Sequence, residues 1–456
     1  MNRPDDAMTD NPKEVSRLRG LRKLEFVRRM ASNAQEAFRW IHATHGKTVA
    51  VSLMGGEYVS TIELASVQHV MKDNHKNYSK GTQYTEFEPL WGKENLLASH
   101  GDIWVRHRRV VAPEFHPAHL ADYQPLIVRH TQALLDSYEG AIRAGEPLRL
   151  YDGVRPLIMR ILCDKWFGVL PEPDVQRMSW LLSELTDIIG ARVFLPVKLP
   201  LWLPTPLHVR YRRLLSELQE LLARTVRERK DEALARMNLL GRMLAARDAE
   251  PRTAMSETEL LDNFVVLLLA AYETPTLGWA LYFIGREPSV AERLHAEVKE
   301  VLGERAPEME DLPRLKYVRM CIDESMRMFA VSPLMVRQAL ADDELGSCRL
   351  KAGTHVVIPV CTLHQEPELW PEPRRFQPER FAAPASVHPF SFMPFGKGAR
   401  ECIGRAIALQ FSTTILAMLF QRYAYTLEAG YEARPNNKFT PFPLGSVPAR
   451  LTRRAA

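Results

Sequence analysis

The spacing of apolar and polar positions changes period several times along the chain, and each change predicts an element. Over residues 13–30, Val15, Leu18, Leu21, Leu24 and Val27 recur at helical spacing, with Arg17, Arg19, Arg22, Lys23, Arg28 and Arg29 between them. The pattern predicts an amphipathic surface helix with its apolar stripe packed inward; a membrane-surface helix shares the same pattern and is the alternative. Strict alternation over Thr48-Val49-Ala50-Val51-Ser52-Leu53 predicts a strand followed by a turn at Gly55-Gly56, part of a small sheet near the N-terminus. From about residue 103 the helical period dominates. It is interrupted over residues 193–206, where Pro196, Pro200, Pro204 and Pro206 forbid a continuous helix. That stretch reads as a long apolar loop, either a connector packed on the body or a lid or membrane-touching patch.

Ser256-Glu257-Thr258-Glu259 is a capping box placed ahead of the apolar run 264–272, so a helix starts there and continues towards Ile284. It is apolar on every side and therefore central. Helices near 288–302 and 314–329 follow, then strands near 336–340 and 355–360, and an irregular meander punctuated by Pro367, Pro371, Pro373 and Pro378. A final helix is predicted over 403–420. The chain shows no internal repeat, low-complexity tract or charge block, which makes residues 1–456 one domain, with residues 1–12 expected to be disordered.

Composition narrows the class. The 456 residues are 46% hydrophobic and 25% charged, the balance of a globular protein with a large core, and a net charge of +5 spread over this length leaves no nucleic-acid footprint. The cysteines, Cys163, Cys321, Cys348, Cys361 and Cys402, are odd in number and form no CxxC pair, so neither a disulfide framework nor a zinc ribbon is expected. A reducing cytoplasm is the expected location. Asp5, Asp6, Asp10 and Glu14 argue against an import presequence. The run 264–272, bounded by Asp262 and Glu273, is too short to span a bilayer, so no transmembrane anchor is expected.

The most informative stretch is Phe395-Gly396-Lys397-Gly398-Ala399-Arg400-Glu401-Cys402-Ile403-Gly404, where a single cysteine sits between glycines as a loop turns into a helix. Amides at a helix start and the positive end of the helix dipole stabilise an anionic sulfur, which suits a thiolate metal ligand, and Gly398 and Gly404 let the backbone approach a flat cofactor. A lone cysteine is ordinarily a buried structural residue, and that reading stands for the other four. Phe395, Gly398, Arg400, Cys402 and Gly404 match all fixed positions of Phe-x-x-Gly-x-Arg-x-Cys-x-Gly, and the segment resembles the haem-binding loop of the cytochrome P450 family.

Further segments resemble the family in the expected order. Glu324-Ser325-Met326-Arg327 places a carboxylate and a guanidinium on one helix face, and Phe376-Gln377-Pro378-Glu379-Arg380-Phe381 supplies a second guanidinium; the resemblance implies a structural Glu324–Arg327–Arg380 network. His364-x-x-Pro367-x-x-Trp370-Pro371-x-Pro373 looks like the segment leading into that meander. Residues 101–109 resemble the family's helix C, with Trp104 and Arg108 on one face as haem-propionate ligands, joined by Arg337 and Arg400; Arg106 and Arg109 project elsewhere and are solvated or form a basic docking surface. Ala270-Ala271-Tyr272-Glu273-Thr274 resembles the oxygen-activating segment, in which Thr274 would position oxygen and water and Glu273 would relay protons. Two departures stand out. Ala271 replaces a usual glycine, and Pro275 has no N–H for the Ala271 carbonyl, so a distorted helix with a local groove is expected there.

The resemblance covers about residues 101–410 and implies a mainly α fold with small β-sheets, the cytochrome P450 fold, with haem b between the long central helix and the cysteine loop with its following helix. Cys402 would be the axial thiolate. The implied activity is a monooxygenase that inserts one atom of O2 into a small, largely apolar organic substrate, with electrons from a separate ferredoxin or flavodoxin and its reductase; no Rossmann or iron–sulfur pattern is present in the chain. A peroxide-using peroxygenase or dehydratase on the same fold, and a non-enzymatic haem sensor, are the alternatives. Tyr84, Phe87, Trp91, Phe194, Trp202, Phe264 and Leu334 are candidates for an apolar pocket, although aromatic residues at such spacing are more often core.

Overall fold

The structure is a computed structural model that describes residues 16–53, 56–81, 87–193, 199–247, 255–272, 275–435 and 441–454. The expected disorder of residues 1–12 lies outside these. The chain divides into two compact units, one formed by Met1–Gly81, Pro333–Leu369 and Pro389–Glu401, the other by Thr82–Ser332, Trp370–His388 and Cys402–Ala456.

The first unit is built on a six-stranded mixed sheet. Its strands are β1 (Ser16–Arg17), β2 (Thr48–Leu53), β3 (Gly56–Thr61), β4 (Tyr78–Ser79), β5 (Met335–Ala339) and β6 (His355–Ile358), in the spatial order β1-β2-β3-β6-β5-β4. The alternation over 48–53 does form a strand, paired antiparallel with β3 from Thr48–Thr61 to Leu53–Gly56. Two helices cover the sheet, α1 (Gly20–Ser32) and α2 (Ala34–His45). Asn33 separates them because its Oδ1 accepts from the Glu36 amide at 3.1 Å and caps α2. Leu18, Phe26, Phe38, Ile41, Val49, Val51 and Val357 form the core of this layer, with Phe26 edge-on to Phe38 at 5.6 Å.

Here the structure corrects the sequence reading. Residues 16–17 are strand, α1 begins only at Gly20, and its buried anchor is Phe26 rather than the predicted stripe. Leu21, Leu24 and Val27 are exposed, at 84%, 64% and 43%. A 3.6-residue period identifies a stripe but not which way it faces; Phe26 and the partly buried Met30 form the larger competing face and pack against the core.

The second unit is predominantly helical. Its principal helices are α3 (Gly101–Val111), α4 (Leu150–Trp166), α5 (Glu172–Val193), α6 (Pro206–Arg236), α7 (Glu257–Tyr272), α8 (Pro275–Arg286), α9 (Lys316–Met328) and α10 (Arg405–Arg422). A small sheet of Leu148–Arg149, Tyr423–Leu427 and Pro448–Arg453 accompanies them. The capping box opens α7 as predicted: Glu259 N–H donates to Ser256 Oγ at 3.1 Å, and Ser256 N–H donates to Glu259 Oε2 at 2.6 Å. Helices α7 and α8 are strongly apolar and bury most of their residues inside the protein, as core helices do. Pro288–Leu302 is helical with Pro288 in its first turn and Gly303 just past its end. Of the proline-rich apolar stretch, residues 199–205 join the run before α6, whose start is capped by Thr205 Oγ1 accepting from the His208 amide at 3.2 Å.

Candidate active site

Among the five cysteines only Cys402 is exposed; Cys163, Cys321, Cys348 and Cys361 are buried. Cys402 lies two residues ahead of the cap residue, Gly404, of α10, at the end of the helix where free amides and the dipole favour negative charge. A Cβ on Gly404 would meet the Cys402 Sγ and Phe115 at 3.9 Å each, so the Gly404 backbone lies directly beside the thiol. Burial has the opposite effect on Cys163, Cys348 and Cys361, pushing their thiols up, to about 12 for Cys163 and about 11 for Cys361. The fit to a single thiolate ligand is therefore selective for position 402.

In the first unit the residues leading to the cysteine are tightly specified. Gly398 has φ +74, and a Cβ there would fall onto the Met71 carbonyl oxygen, so any other residue moves the loop. His364, fully buried, accepts from the Met393 amide at its Nε2 at 2.9 Å and packs at a tilt against Phe392, tying the loop's approach to the segment after β6. The sequence reading placed His364 in a motif without giving it this role. Phe395 is half-buried, Arg400 closes the short turn Gly398–Arg400, and Arg337 is buried on β5 with its guanidinium donating to the Val336 carbonyl at 2.8 Å.

The second unit holds the remaining candidates. Trp104 and Arg108 do share a face of α3, with the guanidinium 5.5 Å from the indole centroid. Glu324 and Arg327 are completely buried and form a bidentate pair, Nε to Oε2 at 2.7 Å and Nη2 to Oε1 at 2.8 Å. The Gln377 amide donates to Glu324 Oε1 at 2.9 Å, and Arg380 Nε lies 3.4 Å from the same oxygen. Arg327 also sits over Trp370 at 5.4 Å. The predicted three-residue network is thus assembled.

A second ionic cluster was not anticipated. Glu259 pairs with Arg106, and its Oε1 lies 3.1 Å from His107 Nε2, while Asn263 Nδ2 approaches His107 Nδ1 at 3.4 Å and the Glu259 carbonyl at 2.7 Å. A neutral His107 carrying its proton on Nε2 satisfies both neighbours. Burial lowers the His107 pKa against the opposing pull of Glu259. Burial also opposes ionisation of Glu259, but the Ser256 amide, His107 and Arg106 outweigh it and hold the carboxyl below its ordinary range. Arg106 is therefore not part of a free basic surface; Arg109 is the exposed one. No local signal in the sequence links position 259 to 106 and 107.

Glu273 and Thr274 lie outside the described residues, as does the distortion expected between them and Pro275; α7 ends at Tyr272 and α8 begins at Pro275. Of the pocket candidates, Phe87 and Trp91 stack on one another at 4.6 Å and Phe264 packs on Phe167 at 4.6 Å, all buried as core, whereas Trp202 is 75% exposed. Tyr84 and Phe194 lie outside the described residues. No group of three or more His, Cys, Asp or Glu side chains forms a chelating cluster among the described residues, so the donor chemistry is that of one thiolate beside a ligand that brings its own remaining donors.

Comparison with known proteins gives the class. The cytochrome P450 family model matches residues 22–453, and the chain belongs to that family. It is 32% identical over 384 residues to cyclooctat-9-en-7-ol 5-monooxygenase of Streptomyces melanosporofaciens, covering 83% of this chain and 82% of that one. It is 30% identical to cyclooctatin synthase of the same organism, covering 84% of each. The crystal structure of the cytochrome P450DA haem domain superposes with a TM-score of 0.86 over 97% of both chains at 22% identity, which establishes the fold. The protein is a cytochrome P450 monooxygenase carrying haem b on a cysteine thiolate, and it uses O2, redox partners and a hydrophobic substrate.

Proposed function

We propose that Cys402 supplies the axial thiolate, that Trp104, Arg108, Arg337 and Arg400 bind the haem carboxylates, and that Phe395, Gly398 and Gly404 shape the loop around the iron's thiolate side. The observation that carries this reading is the exposure of Cys402 alone among the cysteines, at a helix start with the Gly404 backbone beside its sulfur. Gly398 sets the path of the loop, and the positive end of α10 keeps the sulfur anionic. When bound, the haem supplies reductive activation of O2, with one oxygen atom entering a C–H bond and the other leaving as water at the expense of two electrons and two protons. With haem in place, Glu273 would relay protons and Thr274 would position the water that carries them. The Glu324–Arg327–Arg380 network is a structural brace.

Electrons come from a separate ferredoxin or flavodoxin with its reductase, and the location is cytoplasmic. The substrate is a small cyclic hydrocarbon skeleton with few polar groups; the relative named as acting on cyclooctat-9-en-7-ol supports this class. Reduced enzyme exposed to carbon monoxide gives the red-shifted Soret band of thiolate-ligated haem, and Cys402→Ser abolishes it while haem remains bound. A panel of cyclic terpenoid alcohols produces the low-to-high spin shift and, with redox partners, substrate-dependent NADPH consumption with label from 18O2 in the product. Product formed equally well with peroxide and no reductant would sink the external-electron reading.

A further inference from the structure

Helix α1 has two apolar faces. Phe26 and Met30 turn one towards the core of the first unit, and Leu21, Leu24 and Val27 form another, exposed at 84%, 64% and 43%. Scattered exposed apolar residues need no explanation, but three at successive turns of one helix form a ridge that water does not favour. Around the ridge stand Arg19, Arg22, Lys23, Arg28 and Arg29 against Glu25 on the helix and Glu57 of β3, which lies near Lys23. Arg28 and Arg29 both reach Glu25, at 2.9 and 2.7 Å, so that carboxylate is shared and the rim keeps a strong positive excess.

An apolar ridge one helix wide, rimmed by cations, is complementary to a surface that is anionic at its face and apolar beneath it. A globular protein partner would have to offer a matching groove and at the same time desolvate this rim; a lipid headgroup layer supplies both properties without shape matching. We propose that α1 docks the enzyme on anionic phospholipid membranes as a peripheral, in-plane helix, with Leu21, Leu24 and Val27 entering the acyl boundary and the arginines remaining among the headgroups. This goes beyond the catalytic reading and does not depend on it. The consequence for function is access, since a hydrophobic substrate partitions into the phase on which the enzyme sits.

The test is cosedimentation of the haem-loaded full chain with vesicles of phosphatidylcholine alone or mixed with phosphatidylglycerol. Wild type binds the mixed vesicles about tenfold better than the neutral ones, and raising salt to about 0.5 M weakens binding. Leu21→Asp with Leu24→Asp removes binding at least about tenfold, with the carbon monoxide band and thermal midpoint unchanged because both side chains face solvent. Arg22→Glu lowers binding to the mixed vesicles only. Equal binding by the double variant overturns the proposal, and a blue shift of Trp202 fluorescence in that case assigns the contact to residues 199–209 instead. Failure of wild type to sediment with either vesicle also overturns it, as does a lipid-free dimer that Leu24→Asp dissolves, which assigns the ridge to a second copy of the chain.

Discussion

Two buried ionic clusters in the helical unit use the same side-chain chemistry at very different sequence ranges. Glu324 and Arg327 are three residues apart on one helix, fully buried, with both carboxylate oxygens occupied. Glu259 reaches Arg106 across 153 residues of chain, linking α7 to α3, and its neighbours include a titratable histidine and a second carboxylate, Asp262. The first cluster is a bidentate carboxylate–guanidinium pair with no histidine in it, so it behaves as a fixed brace. The second mixes a carboxylate held ionised with His107, whose pKa is lowered by burial, and Asp262, whose pKa is raised by burial, so its contribution depends on pH.

The sharpest contrast comes from removing one charge from each. Glu324→Gln leaves the Arg327 guanidinium buried without its counter-charge, a change that costs about 3–5 kcal/mol. The urea midpoint falls accordingly and haem retention on gel filtration declines. Arg380→Lys costs much less, because its Nε contact with Glu324 is 3.4 Å and its Nη2 also donates to the Glu372 carbonyl. Glu259→Gln retains an acceptor for the Ser256 amide and loses the charged partner of Arg106, which costs about 2 kcal/mol, since Arg106 can turn to water. Equal losses for Glu324→Gln and Glu259→Gln would break the distinction between brace and linker.

The same contrast explains what could be read from the sequence. Local rules placed the Glu324–Arg327 pair, the capping box at Ser256 and Glu259, the β2 alternation and the helix bounded by Pro288 and Gly303, because each depends on residues within one or two turns. The cysteine loop was legible for the same reason. Glu259 was recognised as half of a cap, yet its pairing with Arg106 and His107 is set by how α3 packs on α7, which no short-range pattern encodes. The face of α1 was misread for a related reason: its exposed stripe and its buried face both carry apolar residues, and tertiary packing chose Phe26.

His107 gives a smaller effect with a defined sign. Its pKa is lowered on folding, so the unfolded chain takes up the proton first; the stability it contributes is complete above about pH 6.5 and is lost as pH falls through the lowered folded value. His107→Gln flattens that part of the profile. The measurement is the urea midpoint from about pH 5 to 7.5 for both proteins, and parallel profiles would show that His107 is not the titrating group.

Asp262 opposes His107 within the same window and gives the smallest effect. Burial, reinforced by the like charge of Glu259 one turn earlier on α7, pushes its carboxyl up to about 6 from an ordinary 3.8. Its oxygens lie against the backbone of Gly92, whose φ is +75 and whose Cβ, were there one, would overlap the carboxylate. No hydrogen bond or ion pair to Asp262 forms among the described residues to offset the desolvation. Because the folded pKa is raised, the folded state holds the proton more tightly, and stability falls as pH rises from about 4 through 6. Asp262→Asn keeps the shape and removes the charge, so the urea midpoint rises at about pH 8 and is unchanged near pH 4, where the native carboxyl is protonated in the folded state. Asparagine lowering the midpoint at the higher pH would mean that the carboxylate is held by a favourable partner when ionised, and the linker would then have to be regarded as a second fixed brace.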